Sequence, residues 1–295
     1  MEDSLAAADF SVRIPSPLIE LNDPRLESSG VRVLLKRDDL IHPGLPGNKW
    51  RKLKYNLEAA RRQGHQTILT FGGAYSNHLR ATAAAGQYFG FHTVGVVRGE
   101  EHAPLNESLA YAVDHGMRLT YLDRATYRRK SEEDVLDRLI GQFGRCYILP
   151  EGGSNDLAVH GCAEMMDEID VPFSVICCAC GTGCTLAGIS TKLQSGQRAI
   201  GFSVLKGGGF LEGEVRRFHA EAGYVGNPNF SVDTRFHFGG YAKRTANLDA
   251  FIAEFETRHG ITLDWVYEAK MMHGLFERIA AGDFPAPTTI IAVLC

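Results

Sequence analysis

Four short segments of this chain combine side chains and glycines in ways that can do chemistry. The first, Gly47-Asn48-Lys49-Trp50-Arg51-Lys52, follows the loop His42-Pro43-Gly44-Leu45-Pro46 and opens a predicted helix. A lysine in that place is either a solvated first-turn residue or an amine kept partly desolvated, neutral often enough to form an imine. Like charge on Arg51 and Lys52 disfavours the ammonium and works in the same direction. The second, Gly72-Gly73-Ala74-Tyr75-Ser76-Asn77-His78, ends a predicted strand. Its small residues let backbone approach a ligand closely. Ser76 reads either as a helix N-cap or as a free hydroxyl at the strand ends, and Asn77 and His78 read as satisfied surface groups.

The third segment is Cys180-Gly181-Thr182-Gly183-Cys184-Thr185, between a predicted strand and a predicted helix. Glycines let N–H groups converge, the threonines add hydroxyls, and the helix dipole favours an anion, so this is a phosphate loop. It lacks the Gly-Lys-Ser/Thr of a nucleotide P-loop and the glycine spacing of a dinucleotide fingerprint. Cys177, Cys178, Cys180 and Cys184 raise zinc as a rival, but only Cys178 and Cys180 share a strand face, which argues against a metal. Cys184 at a helix start is a rival nucleophile, as in a cysteine-dependent hydrolase, and a plain buried thiol competes with both. The fourth segment, Tyr267-Glu268-Ala269-Lys270, opens another helix. Tyr267 is either a core aromatic or a proton-transfer phenol. Glu268 is either a first-turn carboxylate or the partner of a ring nitrogen.

Positioning these groups requires a scaffold, and the pattern supplies an alternating one. Strands are predicted at 31–36, 67–71, 93–97, 118–122, 147–149, 174–179, 199–204 and 289–294. Helices are predicted at 52–63, 77–89, 106–115, 132–143, 157–169, 185–193, 210–221 and 247–259, and residues 233–241 read as a strand entering a Gly-Gly turn. Such alternation implies an α/β fold of mainly parallel sheets covered by helices, with ligands at the C-terminal strand ends where the motifs are expected to sit. Two domains are expected.

Composition narrows the partners. The 295 residues are 44% apolar and 22% charged, with a net charge of −4 and no long basic tract, so a globular core is expected and nucleic acid is not. The N-terminus has no basic start followed by an apolar core, and no run reaches the roughly 18 residues that span a bilayer. Seven cysteines, an odd number in a chain this long, read as reduced thiols in the cytoplasm.

Taken in order, Gly47-Asn48-Lys49, Gly73-x-x-Ser76-Asn77-His78, Gly181-Thr182-Gly183 and Tyr267-Glu268-x-Lys270 resemble the 1-aminocyclopropane-1-carboxylate deaminase and D-cysteine desulfhydrase family. Val204-Leu205-Lys206-Gly207-Gly208 and Phe238-Gly239-Gly240-Tyr241-Ala242-Lys243 add secondary matches, and the likeness runs from about Pro15 to the end. It implies a fold type II (tryptophan synthase β-like) enzyme that uses pyridoxal 5′-phosphate to release ammonia and a 2-oxo acid from a small amino acid, with sulfide from D-cysteine. It implies a large cofactor domain from residues 1–49 and 150–295, a small domain from 50–149, and a homodimer. Lys49 matches the Schiff-base lysine and Ser76 the nucleophile or proton-transfer serine. Asn77 matches the residue bonding the cofactor's phenolic oxygen, and Gly181, Thr182, Gly183 and Thr185 the phosphate loop. Tyr267 and Glu268 match the deaminase-type tyrosine and the carboxylate at the pyridine nitrogen. Glu268 leans toward deaminases and Ser76-Asn77-His78 toward desulfhydrases, while Tyr75 and Ala269 replace the usual Gln and Gly. The family's last strand runs into a His-(Thr/Leu)-Gly-Gly turn, whereas this sequence stops at Val293-Leu294-Cys295. The expectation is an altered substrate preference, or a cofactor-binding protein with little turnover.

Overall fold

The computed structural model describes residues 10–226 and 228–295. In chain order the strands are β1 (Leu18–Glu20), β2 (Val31–Arg37), β3 (Thr67–Gly72), β4 (His92–Arg98), β5 (Met117–Leu122), β6 (Tyr147–Leu149), β7 (Val175–Cys180), β8 (Arg198–Ser203), β9 (Phe230–Asp233) and β10 (Thr288–Leu294). The helices are α1 (Pro24–Glu27), α2 (Asn48–Arg62), α3 (Asn77–Phe89), α4 (Glu107–Asp114), α5 (Arg124–Arg128), α6 (Glu133–Phe143), α7 (Asp156–Ala163), α8 (Cys184–Thr191), α9 (Leu211–Glu221), α10 (Ala246–His259) and α11 (Glu268–Ala280). They form two compact units. One holds His42–Ala158 with a short segment ending at Val12, and the other holds Arg13–Ile41 with Val159–Cys295.

The first unit contains a four-stranded sheet in the order β5-β4-β3-β6, every pair parallel. Five successive buried residues in β3 and in β4 show that both sheet faces are covered, as parallel strands require. α2 turns Leu53, Leu57 and Ala60 inward against Ile68, Ala81, Ala85, Phe89 and Leu149. Each large aliphatic side chain buried there contributes about 1.5–3 kcal/mol. α3 begins on Ser76 and ends on Gly90 at φ 71°, the left-handed stop that only glycine adopts cheaply.

The second unit is built on a six-stranded sheet, β1-β2-β10-β7-β8-β9, parallel except where β1 meets β2. Its core joins Met271, Met272, Leu275 and Ile279 of α11 to Val175, Ile200, Phe202, Ile290 and Ala292 from the strands. The expected α/β class and mainly parallel sheets are therefore present.

Three local expectations are corrected. Residues 233–241 are not a strand: the ladder ends at Asp233, whose carboxylate accepts the Arg235 N–H at 3.0 Å, and Phe238, Gly239 and Gly240 have φ of 51°, 94° and 115°. Positive φ cannot continue a pleated strand. The helix expected over 157–169 stops at Ala163 and tightens into a 3₁₀ segment, Glu164–Glu168. Tyr267 and Glu268 follow a loop after α10 rather than a strand end. Among the described residues no helix is long and apolar enough to cross a membrane.

Candidate functional site

In the first unit, Gly47 turns the chain at φ 62°, ψ −142°, a conformation closed to side chains with a Cβ, and α2 starts immediately after it. Lys49 is thus in the first helical turn, half-buried, with Nζ donating to Asn48 Oδ1 at 2.9 Å. Arg51 and Lys52 behind it are buried, and Lys52 Nζ reaches the Gly152 carbonyl at 3.3 Å.

β3 enters α3 through a turn that needs glycine. A Cβ on Gly72 would meet Ser76 Oγ at 2.7 Å and Leu79 Cγ at 2.8 Å. Ser76 is buried and caps the helix, its Oγ accepting the Leu79 N–H at 3.3 Å, so the N-cap reading of this serine describes its resting contact. Asn77 is the first helical residue and half-buried.

His78 is not the surface group expected from sequence. It is buried, its Nε2 lies 2.7 Å from Thr70 Oγ1, and Thr70 donates onward to the Leu149 carbonyl at 2.8 Å. Since the one hydroxyl proton goes to Leu149, Nε2 carries the ring proton and Nδ1 is an acceptor without a partner among the described residues. Burial, reinforced by the Lys49 and Lys52 charges, holds its pKa well below the usual histidine range, so the ring is neutral at pH 7. The signal that could have revealed it is the i, i+4 pairing with Thr82, which puts His78 on the buried face of α3.

In the second unit, β7 ends at Cys180 and α8 starts on Gly183, at φ 86°, without a side-chain cap and without an acid in its first turn. A Cβ on Gly183 would come within 3.0 Å of Val215 Cγ2, and one on Gly181 within 3.1 Å of the Tyr267 ring. Small size at both positions is therefore a packing requirement as well as a conformational one. Thr182 is half-buried and Thr185 buried. Cys184 is fully buried, as a core thiol.

Two acids fasten the turn that leads into α11. Asp264 Oδ1 accepts the N–H groups of Val266 and Tyr267 at 2.9 and 2.8 Å, while Glu268 Oε2 reaches back to the Asp264 N–H at 3.1 Å. Glu268 Oε1 accepts the Cys295 N–H from the end of β10. Burial pushes the Glu268 carboxyl up to about 8, and the charges of Asp264 and Asp39 add to it. The two N–H bonds oppose this, but desolvation wins. Tyr267 meets the ring of Tyr241 at 6.1 Å and 70°, edge to face.

The residues singled out from sequence thus fall in two groups: Lys49, Ser76 and Asn77 in the first unit; Gly181, Thr182, Gly183, Thr185, Tyr267 and Glu268 in the second. Within the second, the glycine loop and the Tyr267 ring adjoin each other. Sequence reasoning missed Thr70 and His78 in the first unit, and Asp264 and Tyr241 in the second. Asp264 stands four residues before Glu268, one more than the capping-box spacing, so the residue pattern carries no capping signal for it.

Comparison with known proteins gives a consistent picture. The family described as "Pyridoxal-phosphate dependent enzyme" matches residues 11–295. A putative 1-aminocyclopropane-1-carboxylate deaminase of Thermotoga maritima is 34% identical over 266 residues, covering 85% of each chain. The mitochondrial bifunctional D-cysteine desulfhydrase/1-aminocyclopropane-1-carboxylate deaminase of Arabidopsis thaliana is 30% identical, covering 93% of this chain and 74% of its own. The crystal structure of an ACC deaminase homologue superposes with a TM-score of 0.84 at 28% identity, over 97% of this chain and 92% of the other.

Proposed function

We propose, for a chain that belongs to the family of pyridoxal-phosphate dependent enzymes, the breakdown of a small amino acid of the D-cysteine or 1-aminocyclopropane-1-carboxylate type, releasing ammonia and a 2-oxo acid, with sulfide from D-cysteine. The observation that carries this reading is the second unit's cluster, where an uncapped glycine-led helix start adjoins the Tyr267 phenol and the next residue is a buried carboxyl.

The groups present fit the cofactor. Gly181 leaves bare backbone beside Tyr267, and the start of α8 suits a phosphate ester. Glu268, pushed up to about 8, ionises readily at neutral pH only beside a positive partner, and a protonated ring nitrogen is one. When bound, pyridoxal phosphate supplies an electron sink for charge developing on the substrate. Lys49 would hold it covalently, Asn77 would bind its phenolic oxygen, and Gly181, Thr182, Gly183 and Thr185 would bind the phosphate. Glu268 would keep the ring nitrogen protonated. With D-cysteine the Lys49 amine would take the proton from the α-carbon. 1-Aminocyclopropane-1-carboxylate has no hydrogen there, so Lys49 would take a ring-methylene proton or Ser76 would attack the ring. In either case the Tyr267 phenol would move protons at the departing groups. A homodimer in the cytoplasm, with a large domain from 1–49 and 150–295 and a small one from 50–149, belongs to the same proposal.

The test is a product assay on cofactor-loaded protein. D-cysteine should give sulfide, pyruvate and ammonia; 1-aminocyclopropane-1-carboxylate should give 2-oxobutanoate and ammonia. Lys49→Ala should lower either rate at least about 100-fold. Full cofactor occupancy with no product from either substrate, or from a panel of D- and L-amino acids, would overturn the reading in favour of a binding protein.

A further inference from the structure

Residues 236–241 follow α11 contact by contact. Phe236 lies where a Cβ on Gly274 would come within 2.6 Å of its ring, Phe238 meets His273 edge-on at 4.9 Å, and Tyr241 meets Tyr267 at 6.1 Å. Between these apolar contacts is one polar pin: Lys270 Nζ donates to the Gly240 carbonyl at 2.8 Å. The segment is conformationally demanding, because Phe238 and Ala242 have φ of 51° and 50° although both carry a Cβ. Such residues persist in left-handed backbone only where their surroundings hold them. Lys270 is fully buried, and among the described residues Gly240 O is its hydrogen-bond partner. A buried ammonium without that carbonyl would be strongly disfavoured, so the contact constrains both sides. Burial already pushes Lys270 down to about 8, with Asp264 pulling the other way.

We propose that Lys270 is a positioning residue: by pinning the Gly240 carbonyl it holds the left-handed strap in register on α11, and so fixes Tyr241 against Tyr267. The catalytic consequence rests on the reading of Tyr267 as a proton-transfer phenol. A loosened strap removes the edge-to-face support of Tyr241 from the Tyr267 ring, which also lies beside the bare backbone of Gly181.

The experiment is hydrogen exchange by mass spectrometry on cofactor-free and cofactor-loaded protein, with kinetics on the loaded form. Lys270→Met keeps the volume and removes the pin. Amides of residues 236–242 should exchange at least about tenfold faster in both forms, while those of α3 are unchanged. Adding Ala242→Gly, which removes the Cβ penalty in the strap, should restore much of the protection; a loss that merely reflected α11 packing would not be rescued. In kinetics, Lys270→Met should lower kcat about tenfold with little change in KM, and less than about twofold when Tyr267 is already Phe. Unchanged exchange in the strap, or fully additive losses, would overturn the proposal. If Lys270→Met does not fold, Lys270→Gln, which keeps a donor without the charge, is read by the same exchange pattern. Faster strap exchange in a protein without turnover supports the pin and sinks only the catalytic reading beneath it.

Discussion

The Lys49–Ser76 region of the first unit and the Gly183–Glu268 region of the second meet their polar demands differently. In the first, Ser76 caps α3 and His78 is neutral and paired to Thr70. In the second, α8 starts without a side-chain cap, and a buried carboxyl has its pKa raised to about 8. The first region is closed by its own side chains except at the buried His78 Nδ1, a neutral acceptor, whereas the second has features that an anion and a cation would each relieve. One ligand carrying a phosphate and a protonated ring nitrogen answers both.

The largest effect is expected at Glu268. Its folded pKa is raised, so its contribution to stability is fully present below the unfolded value near 4.5 and is lost as pH rises toward about 8. Chemical denaturation of cofactor-free protein should show stability falling across that window by up to about 1.4 kcal/mol per pH unit, and Glu268→Gln should flatten the slope. Bound cofactor should flatten it too; a slope indifferent to both would break the contrast between the regions.

Next come two glycines at equivalent strand-to-helix turns. Gly72→Ala drives a Cβ into Ser76 and Leu79 and should cost about 1–3 kcal/mol of stability, leaving phosphate affinity unchanged. Gly183→Ala, at φ 86°, should cost about 1–2 kcal/mol and also weaken inorganic phosphate binding, measured by titration calorimetry. Equal loss of phosphate affinity in both variants would mean that the two turns are not distinguished as described. The smallest effect is Ser76→Ala, which removes the α3 cap and should cost about 1 kcal/mol in thermal unfolding.

Much of this was legible in the residues. α3 appears at the expected bounds because Ser76 and Gly90 punctuate it, and the long β-branched runs appear as buried parallel strands. The Lys49, Ser76 and glycine-loop segments stood out because helix starts have their own chemistry. What was not legible depends on contacts distant in sequence or on backbone that side chains do not announce. Phe238 and Ala242 carry nothing that signals positive φ, so 233–241 read as a strand. His78 looked solvated until Thr70 of the preceding strand was found behind it. The burial of Glu268 was not legible because its Cys295 partner, just past the end of β10, is distant in sequence.

The most direct measurement is to reduce the cofactor-loaded protein with borohydride and map the modified peptide by mass spectrometry. The cofactor should be found on the peptide containing Lys49, and Lys49→Ala should bind it only reversibly, with no turnover of D-cysteine or 1-aminocyclopropane-1-carboxylate. Attachment to another lysine, Lys270 included, or a Lys49→Ala protein that still turns over substrate, would contradict the account.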